Sequence, residues 1–294
     1  MSLLKSTARL ALLALACLLV FTGCAVLDEK QRSWIFQPGD RSWGGSAIHA
    51  QGMEHVWIPF RSTVTGESVR LHALFHPADA APGSPTRLAP PLMLYLHGAR
   101  WNVEGSSARI RRMQELGFSV LAIDYRGFGK TSAELPSEEM AYEDARAAWD
   151  WLAVQYPDRA RFIFGHSLGG AIAIDLAARV NDESGTIVEG TFSSIADVFA
   201  SLKWGWLPIR KLITQPFDAA SKVAAIGSPL LVVHGSADST IKPELGRKLY
   251  EAAKEPKTFV VVEGGSHFST NSVGQGQYRE AIGQLFGHGR FTPP

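Results

Sequence analysis

The chain has 294 residues, 46% of them hydrophobic and 19% charged, with a formal net charge of +1. That length suits one α/β domain of about 250 residues behind a leader, and the composition supports a buried core and argues against disorder. A near-neutral balance without any Lys/Arg run interleaved with aromatics excludes the usual footprint of a nucleic-acid partner.

Lys5 and Arg9 precede an apolar run from Leu10 to Phe21, and Thr22-Gly23-Cys24 follows. This is the layout of a targeting segment. Small residues before a cysteine resemble the bacterial lipoprotein cleavage site, making 1–23 a signal peptide and Cys24 the acylated first residue. Phe21 stands where Leu is usual in that site. The two cysteines are Cys17, removed by such cleavage, and Cys24, so the mature chain would hold no disulfide. Leu10 to Leu27 is also 18 residues without a charge, long enough for an uncleaved anchor, and a plain secretory signal is the third reading. All three place the domain outside the cytoplasm. Ala25 rather than Asp after the cysteine resembles the signal for the outer membrane of a double-membraned bacterium.

Residues 24–53 are a tether and arm, polar from Asp28 to Met53 with scattered tryptophan and glycine, and Trp34-Ile35-Phe36 is the contact. From residue 54 to 294 the pattern is that of one domain. His55 to Phe60 and Ser68 to Phe75, joined at Thr65-Gly66, alternate as a hairpin with one solvated face. Pro77 to Pro91 is a loop. Strands and helices then alternate: Leu92–Leu96, a helix near Ser106 to Leu116 ended by Gly117, Phe118–Ile123, and a helix opening at Ser137 with Glu138 and Glu139 in its first turn. Ala141, Ala145, Ala148, Trp149 and Leu152 are its buried stripe. Phe162–Phe164 leads into a helix over Ala171 to Ala178, and Thr186–Val188, Leu230–Val233 and Thr258–Val262 are further strands. Helices over Pro243–Ala253 and Tyr278–Phe286 complete the chain. Short apolar strands between amphipathic helices predict an α/β fold with a mostly parallel sheet, an antiparallel N-terminal hairpin and helices on both faces.

The chemistry is expected around Gly165-His166-Ser167-Leu168-Gly169-Gly170. A strand feeds a helix through one sharp turn with Ser167 at its apex, and the two flanking glycines lack Cβ atoms where strand and helix cross. The serine hydroxyl needs a base held by an acid, and sites in open parallel sheets lie beyond the carboxyl ends of strands. There the chain offers His267 in Glu263-Gly264-Gly265-Ser266-His267 and Asp238 in His234-Gly235-Ser236-Ala237-Asp238. The order Ser167, Asp238, His267 suits a nucleophile–acid–base set. His97, His166 and His234 also end strands, and structural hydrogen bonds or turns account for them. Glu189 is the alternative acid, and Asp124 is expected to anchor the Tyr125-Arg126-Gly127 turn. The oxyanion hole is expected from the N–H groups of Leu168 and Ala99, with Arg100 as the alternative to Ala99.

Together Leu96-His97-Gly98, Asp124-Tyr125-Arg126-Gly127-Phe128-Gly129, the serine turn, His234 to Asp238 and Gly265-Ser266-His267 resemble the α/β-hydrolase superfamily. Within it the chain is most similar to short-capped, membrane-associated serine hydrolases, which include depalmitoylases, lysophospholipases and bacterial esterases. The resemblance runs from about Trp34 to the C-terminus and implies a Ser167–Asp238–His267 triad with no metal or organic cofactor. The chain departs from it at Arg100 and Trp101, where relatives often carry small or amide residues.

The segment 191–227 is too short for a large lid and is expected as a short cap. Ile195, Val198, Phe199 and Leu202 form one helical stripe, followed by Trp204, Trp206, Leu207 and Ile209 with Lys203, Arg210 and Lys211 alongside. It is either a surface helix packed on the core or an apolar wall for an acyl chain, facing lipid. The expected function is an extracytoplasmic, lipid-anchored serine hydrolase acting on a small or lipid-like ester or thioester. A peptidase, acyltransferase or haloperoxidase on the same residues, or a silent scaffold lipoprotein, are the alternatives.

Overall fold

In a computed structural model of the chain, the described residues are 21–39, 46–78, 90–202 and 205–287. The signal-peptide reading of residues 1–23 therefore falls almost wholly outside them, as do Lys203 and Trp204.

Residues 21–36 are helical, α1, and Ser46–Ala50 is a short helix, α2. Strands β1 (Glu54–Arg61) and β2 (Ser68–His76) form the antiparallel hairpin. Its turn is closed by the Gly66 N–H on Ser62 O, with Gly66 at φ 75°. The alternating units follow as β3 (Leu92–Leu96), α3 (Ser107–Glu115), β4 (Ser119–Ile123), α4 (Glu138–Gln155), β5 (Arg161–His166), α5 (Leu168–Ala177) and β6 (Gly185–Glu189). Then come α6 (Ile195–Ala200), β7 (Leu230–Gly235), α7 (Pro243–Ala252), β8 (Lys257–Val262), α8 (Thr270–Val273) and α9 (Gln275–Phe286). They build one eight-stranded sheet in the order β1-β2-β4-β3-β5-β6-β7-β8. β2 meets β4 antiparallel, and all pairings from β3 to β8 are parallel.

The period of two along each strand sends alternate residues to opposite faces. Leu92, Leu94 and Leu96 join one core with Trp149 of α4, Ile172 of α5 and Leu249 of α7. Met93 and Tyr95 join the other with Ile110 and Met113 of α3 and Tyr278 and Ile282 of α9. Ser137 caps α4 by accepting from the Met140 N–H, and the expected stripe of α4 is buried throughout.

Three expectations change. The solvated face of β2 ends at Arg70, because from Leu71 to Phe75 every residue of β2 is buried once β2 pairs with β4, while edge strand β1 keeps its exposed positions. β8 is half-exposed along most of its length rather than buried, since it is the sheet's edge. The arm begins as the helix α1, not an irregular tether. Phe36 closes it, fully buried against Phe128 and Phe217 at ring separations of 6.4 and 5.6 Å. Burying such a ring contributes about 2–3 kcal/mol. Ile35 is buried too, while Trp34 stays exposed. Among the described residues no helix is long and apolar enough to cross a membrane.

Candidate active site

The strand order reverses between β3 and β5: the chain leaves β3 for β4 on one side and returns to β5 on the other. Such a switch point opens a crevice at the carboxyl ends of the two strands. Ser167 follows β5 there, at φ 56° and ψ −121° as the N-cap residue of α5. A non-glycine residue in that region stores about 1–3 kcal/mol of strain. The crossing is tight enough to require its glycines. A Cβ on Gly165 would lie 2.2 Å from Gly169 O, and one on Gly169 would lie 2.1 Å from Leu96 O. The turn is held from β6, where Glu189 O accepts from the Ser167 N–H and Thr191 Oγ1 donates to Ser167 O.

His267 comes from beyond the edge strand β8, yet its ring reaches the serine. Ser167 Oγ–H donates to His267 Nε2 at 3.0 Å, and His267 Nδ1–H donates to Asp238 Oδ2 at 2.8 Å. A carboxylate only accepts, so Nδ1 carries the proton and Nε2 offers its lone pair to the hydroxyl. The ring passes over Gly190, where a Cβ would sit 3.4 Å from both Asp238 Oδ2 and His267 Nδ1. Asp238 and His267 are buried. Burial pushes the Asp238 carboxyl up, but His234 and His267 beside it, with the Ile241 N–H, outweigh that and hold it well below the usual carboxylate range. His234 itself donates from Nε2 to Ile241 O.

The other strand-end groups have separate partners. His166 Nε2–H donates to His267 O at 3.0 Å, and burial, with Arg109 and His267 nearby, pushes that imidazole well below its ordinary value. His97 Nδ1–H donates to Gly98 O, and burial lowers it also. Glu189, the alternative acid, does not bond the His267 ring: its carboxylate accepts from Arg109 Nε at 3.0 Å and from the Tyr278 hydroxyl. Asp124 does not anchor the Arg126 N–H, which donates to Asp144 instead. It accepts from His72 Nδ1–H and from the Val103 N–H, tying β4 to β2 and to the loop after β3.

That loop runs close under the serine, a Cβ on Gly98 being 3.1 Å from Ser167 Cβ. The Arg100 N–H is already taken by Phe36 O at 3.0 Å. Neither the Ala99 nor the Leu168 N–H has a backbone acceptor among the described residues. The serine opens into a cleft of about 350 Å³. Trp34, Ile35, Phe192, Ile195, Val198 and Leu202 make its apolar side. Among its described lining residues none is Asp or Glu, and among all described residues no group of His, Cys, Asp or Glu is placed to hold a metal ion. Arg109 on α3, which braces the His267–Phe268 backbone together with His166, and α1 as a wall of the cleft carry no signal in the sequence. One arginine in a helix acquires meaning only where the chain folds, and the apolar Trp34-Ile35-Phe36, legible in the sequence as a contact, gains its place beside the serine only there.

The family described as "Serine aminopeptidase, S33" matches residues 90–218. An uncharacterized protein of Mycobacterium tuberculosis is 40% identical over 154 residues, which are 52% of this chain and 54% of that protein. The lysophosphatidylserine lipase ABHD12 of Bos taurus is 32% identical over 189 residues, 58% of this chain and 47% of the lipase. The chain thus spans about half the length of these curated relatives. Among solved structures, an esterase of Pyrococcus furiosus superposes with a TM-score of 0.62 at 18% identity, covering 85% of this chain and 97% of the esterase. Its sheet order, its serine turn and the solved structure it superposes on give the chain the α/β-hydrolase fold, and its likenesses in sequence support the α/β-hydrolase superfamily.

Proposed function

We propose that the chain is a serine hydrolase that cleaves carboxylic ester or thioester bonds through an acyl-enzyme. The observation that carries this reading is the hydrogen-bonded series Ser167–His267–Asp238 opening on an apolar cleft. Ser167 Oγ attacks the acyl carbon while His267 Nε2 takes its proton, and Asp238 stabilises the imidazolium. The oxyanion is received by the N–H groups of Leu168 and Ala99. His267 then returns the proton to the leaving oxygen or sulfur as the acyl–leaving-group bond breaks. Water, deprotonated by His267, attacks the acyl-serine, and the carboxylic acid and the free hydroxyl are regenerated.

The family description favours one second reading, an aminopeptidase. Such an enzyme needs an acidic group for a free amine, and the described lining carries two arginines and no carboxylate. The lipase activity named for ABHD12 fits the apolar cleft better. We further assign the enzyme to the extracytoplasmic face of a membrane, tethered through Cys24, an exposed free cysteine on α1.

Fluorophosphonate labelling together with a panel of p-nitrophenyl esters, thioesters and aminoacyl p-nitroanilides tests the reading. Wild type is expected to label and to prefer esters or thioesters. Ser167→Ala is expected to lower kcat by about a millionfold, as in other enzymes of this mechanism. Folded Ser167→Ala protein with normal turnover would sink the assignment, and a preference for the anilides would move it to the peptidase.

A further inference from the structure

Resting on the hydrolase reading, the structure points to α1 as part of the catalytic apparatus. We infer that Phe36 is a positioning residue for the oxyanion hole, acting through the backbone of Arg100.

The Gly98-Ala99-Arg100 loop is pinned on either side of its free donor. His97 Nδ1–H holds Gly98 O at 2.6 Å, and Phe36 O holds the Arg100 N–H at 3.0 Å. Ala99 lies between them with its N–H unclaimed by backbone. Arg100 is at φ 81°, a left-handed conformation that an L side chain disfavours and that persists only where the surroundings impose it. Phe36 is suited to impose it. It is the last helical residue of α1, so its carbonyl has no helical N–H to serve. The Gln37 N–H on Ser33 O closes the last turn and aims the chain away.

The Phe36 carbonyl in turn is fixed by its own ring, wedged against Phe128 and Phe217. Beyond it the chain bridges to the loop after β4 that carries Phe128, as Gly39 O accepts from the Gly129 N–H. Further back, α1 is latched at two places. Arg32 donates to Pro136 O at 2.9 Å and to Leu135 O. Gln31 donates to Leu212 O at 2.6 Å and accepts from the Thr214 N–H at 2.9 Å. A helix that carries Cys24 therefore ends as the brace of an oxyanion donor, and its last turn supplies Trp34 and Ile35 to the cleft.

The test uses the full chain in detergent, with p-nitrophenyl acetate as substrate and a trifluoromethyl ketone as probe, whose serine hemiketal carries an oxyanion. Phe36→Ala is expected to lower kcat by about 10–100-fold, short of or near the loss of one oxyanion donor. The acid limb of the pH–rate profile should not move, because the serine, histidine and acid are untouched, and the fall in kcat should exceed any change in KM, which Trp34 and Ile35 in the cleft can affect. Ketone affinity should fall by a similar factor, and Phe36→Leu, which refills the site, should recover most of the loss. Arg32→Ala together with Gln31→Ala removes both latches of α1 without opening the core and is expected to lower kcat about 3–10-fold with the same signature. A folded Phe36→Ala with wild-type kcat overturns the inference, as does one in which the pH profile shifts along with kcat. Should Phe36→Ala fail to fold, the Arg32→Ala, Gln31→Ala double variant decides by the same criteria. A wild-type chain that neither labels with fluorophosphonate nor hydrolyses esters would overturn the hydrolase reading, and this inference with it.

Discussion

Asp238 and Glu189 both follow parallel strands near Ser167, and their neighbours give them different work. The Asp238 carboxylate receives the His267 Nδ1–H and, through its other oxygen, the N–H groups of Thr240 and Ile241 at 2.9 Å. It is a fixed, ionised acceptor with little freedom to turn. Glu189 is fully buried and spends its charge on Arg109. Asp238→Asn should therefore lower kcat by about ten-thousandfold, the effect of the same change in a serine protease triad, because the histidine loses its tautomer. Glu189→Gln should act on stability first, lowering it by about 3 kcal/mol by leaving the Arg109 guanidinium buried without its counter-charge. Steady-state kinetics and thermal melts on both proteins check this. Should Glu189→Gln prove the worse catalyst of two folded variants, the acid has been misassigned.

At the scale of elements, the antiparallel hairpin is bolted to α4 through a buried arginine. Arg126 donates to Asp144 from Nε at 2.8 Å and to Glu143 from Nη2 at 2.7 Å. Ser62 and Thr63, in the β1–β2 turn, donate to the same Glu143 carboxylate. Burial pushes the Glu143 carboxyl up, but the hydrogen bonds from Ser62, Thr63 and Arg126 outweigh it and bring it from 4.5 down to about 2. A carboxyl lowered on folding stabilises the native state fully above its unfolded value, and that contribution fades as pH falls from about 4.5 toward 2. Glu143→Gln is accordingly expected to cost about 1–2 kcal/mol at pH 7. The gap to wild type should narrow in acid, and denaturant titrations at pH 7 and pH 3 would show it. A gap independent of pH would mean that the carboxylate's charge is not what holds the hairpin.

For the whole molecule, address and access meet on α1. From Cys24 to Phe36 the helix rises about 18 Å at 1.5 Å per residue, so an anchor at Cys24 would hold the cleft within a short, rigid distance of a bilayer. Trp34, Leu202, Trp206, Leu207 and Leu212 are exposed, and Trp34 and Leu202 line the cleft itself. We therefore expect wild type to start at Cys24, to carry acyl chains and to fractionate with membranes. Each buried methylene contributes about 0.8 kcal/mol, so two or more chains make release negligible. Cys24→Ser should be unacylated and unprocessed there. Intact mass and fractionation of both proteins decide among the readings. An unacylated wild type keeping residues 1–23 would mean an uncleaved anchor, and a soluble one lacking them a plain secretory signal.

The sequence by itself determined the sheet, because continuous apolar runs such as Leu92–Leu96 must be covered on both faces and helices with one apolar stripe must do the covering. It also determined the serine turn, since the demands of Gly165, Ser167 and Gly169 are set by a strand and a helix only a few residues apart. Between the carboxylate the sequence favoured and its rival, the tertiary structure set which one meets the histidine, because Asp124, Glu189 and Asp238 all lie at or just beyond strand ends and differ in what folds beside them. It alone paired Arg109 with Glu189 and set the Phe36 carbonyl on the Arg100 N–H. A backbone acceptor has no side-chain identity, and a polar arm shows no period of its own, so that contact leaves no trace until the chain has closed on itself.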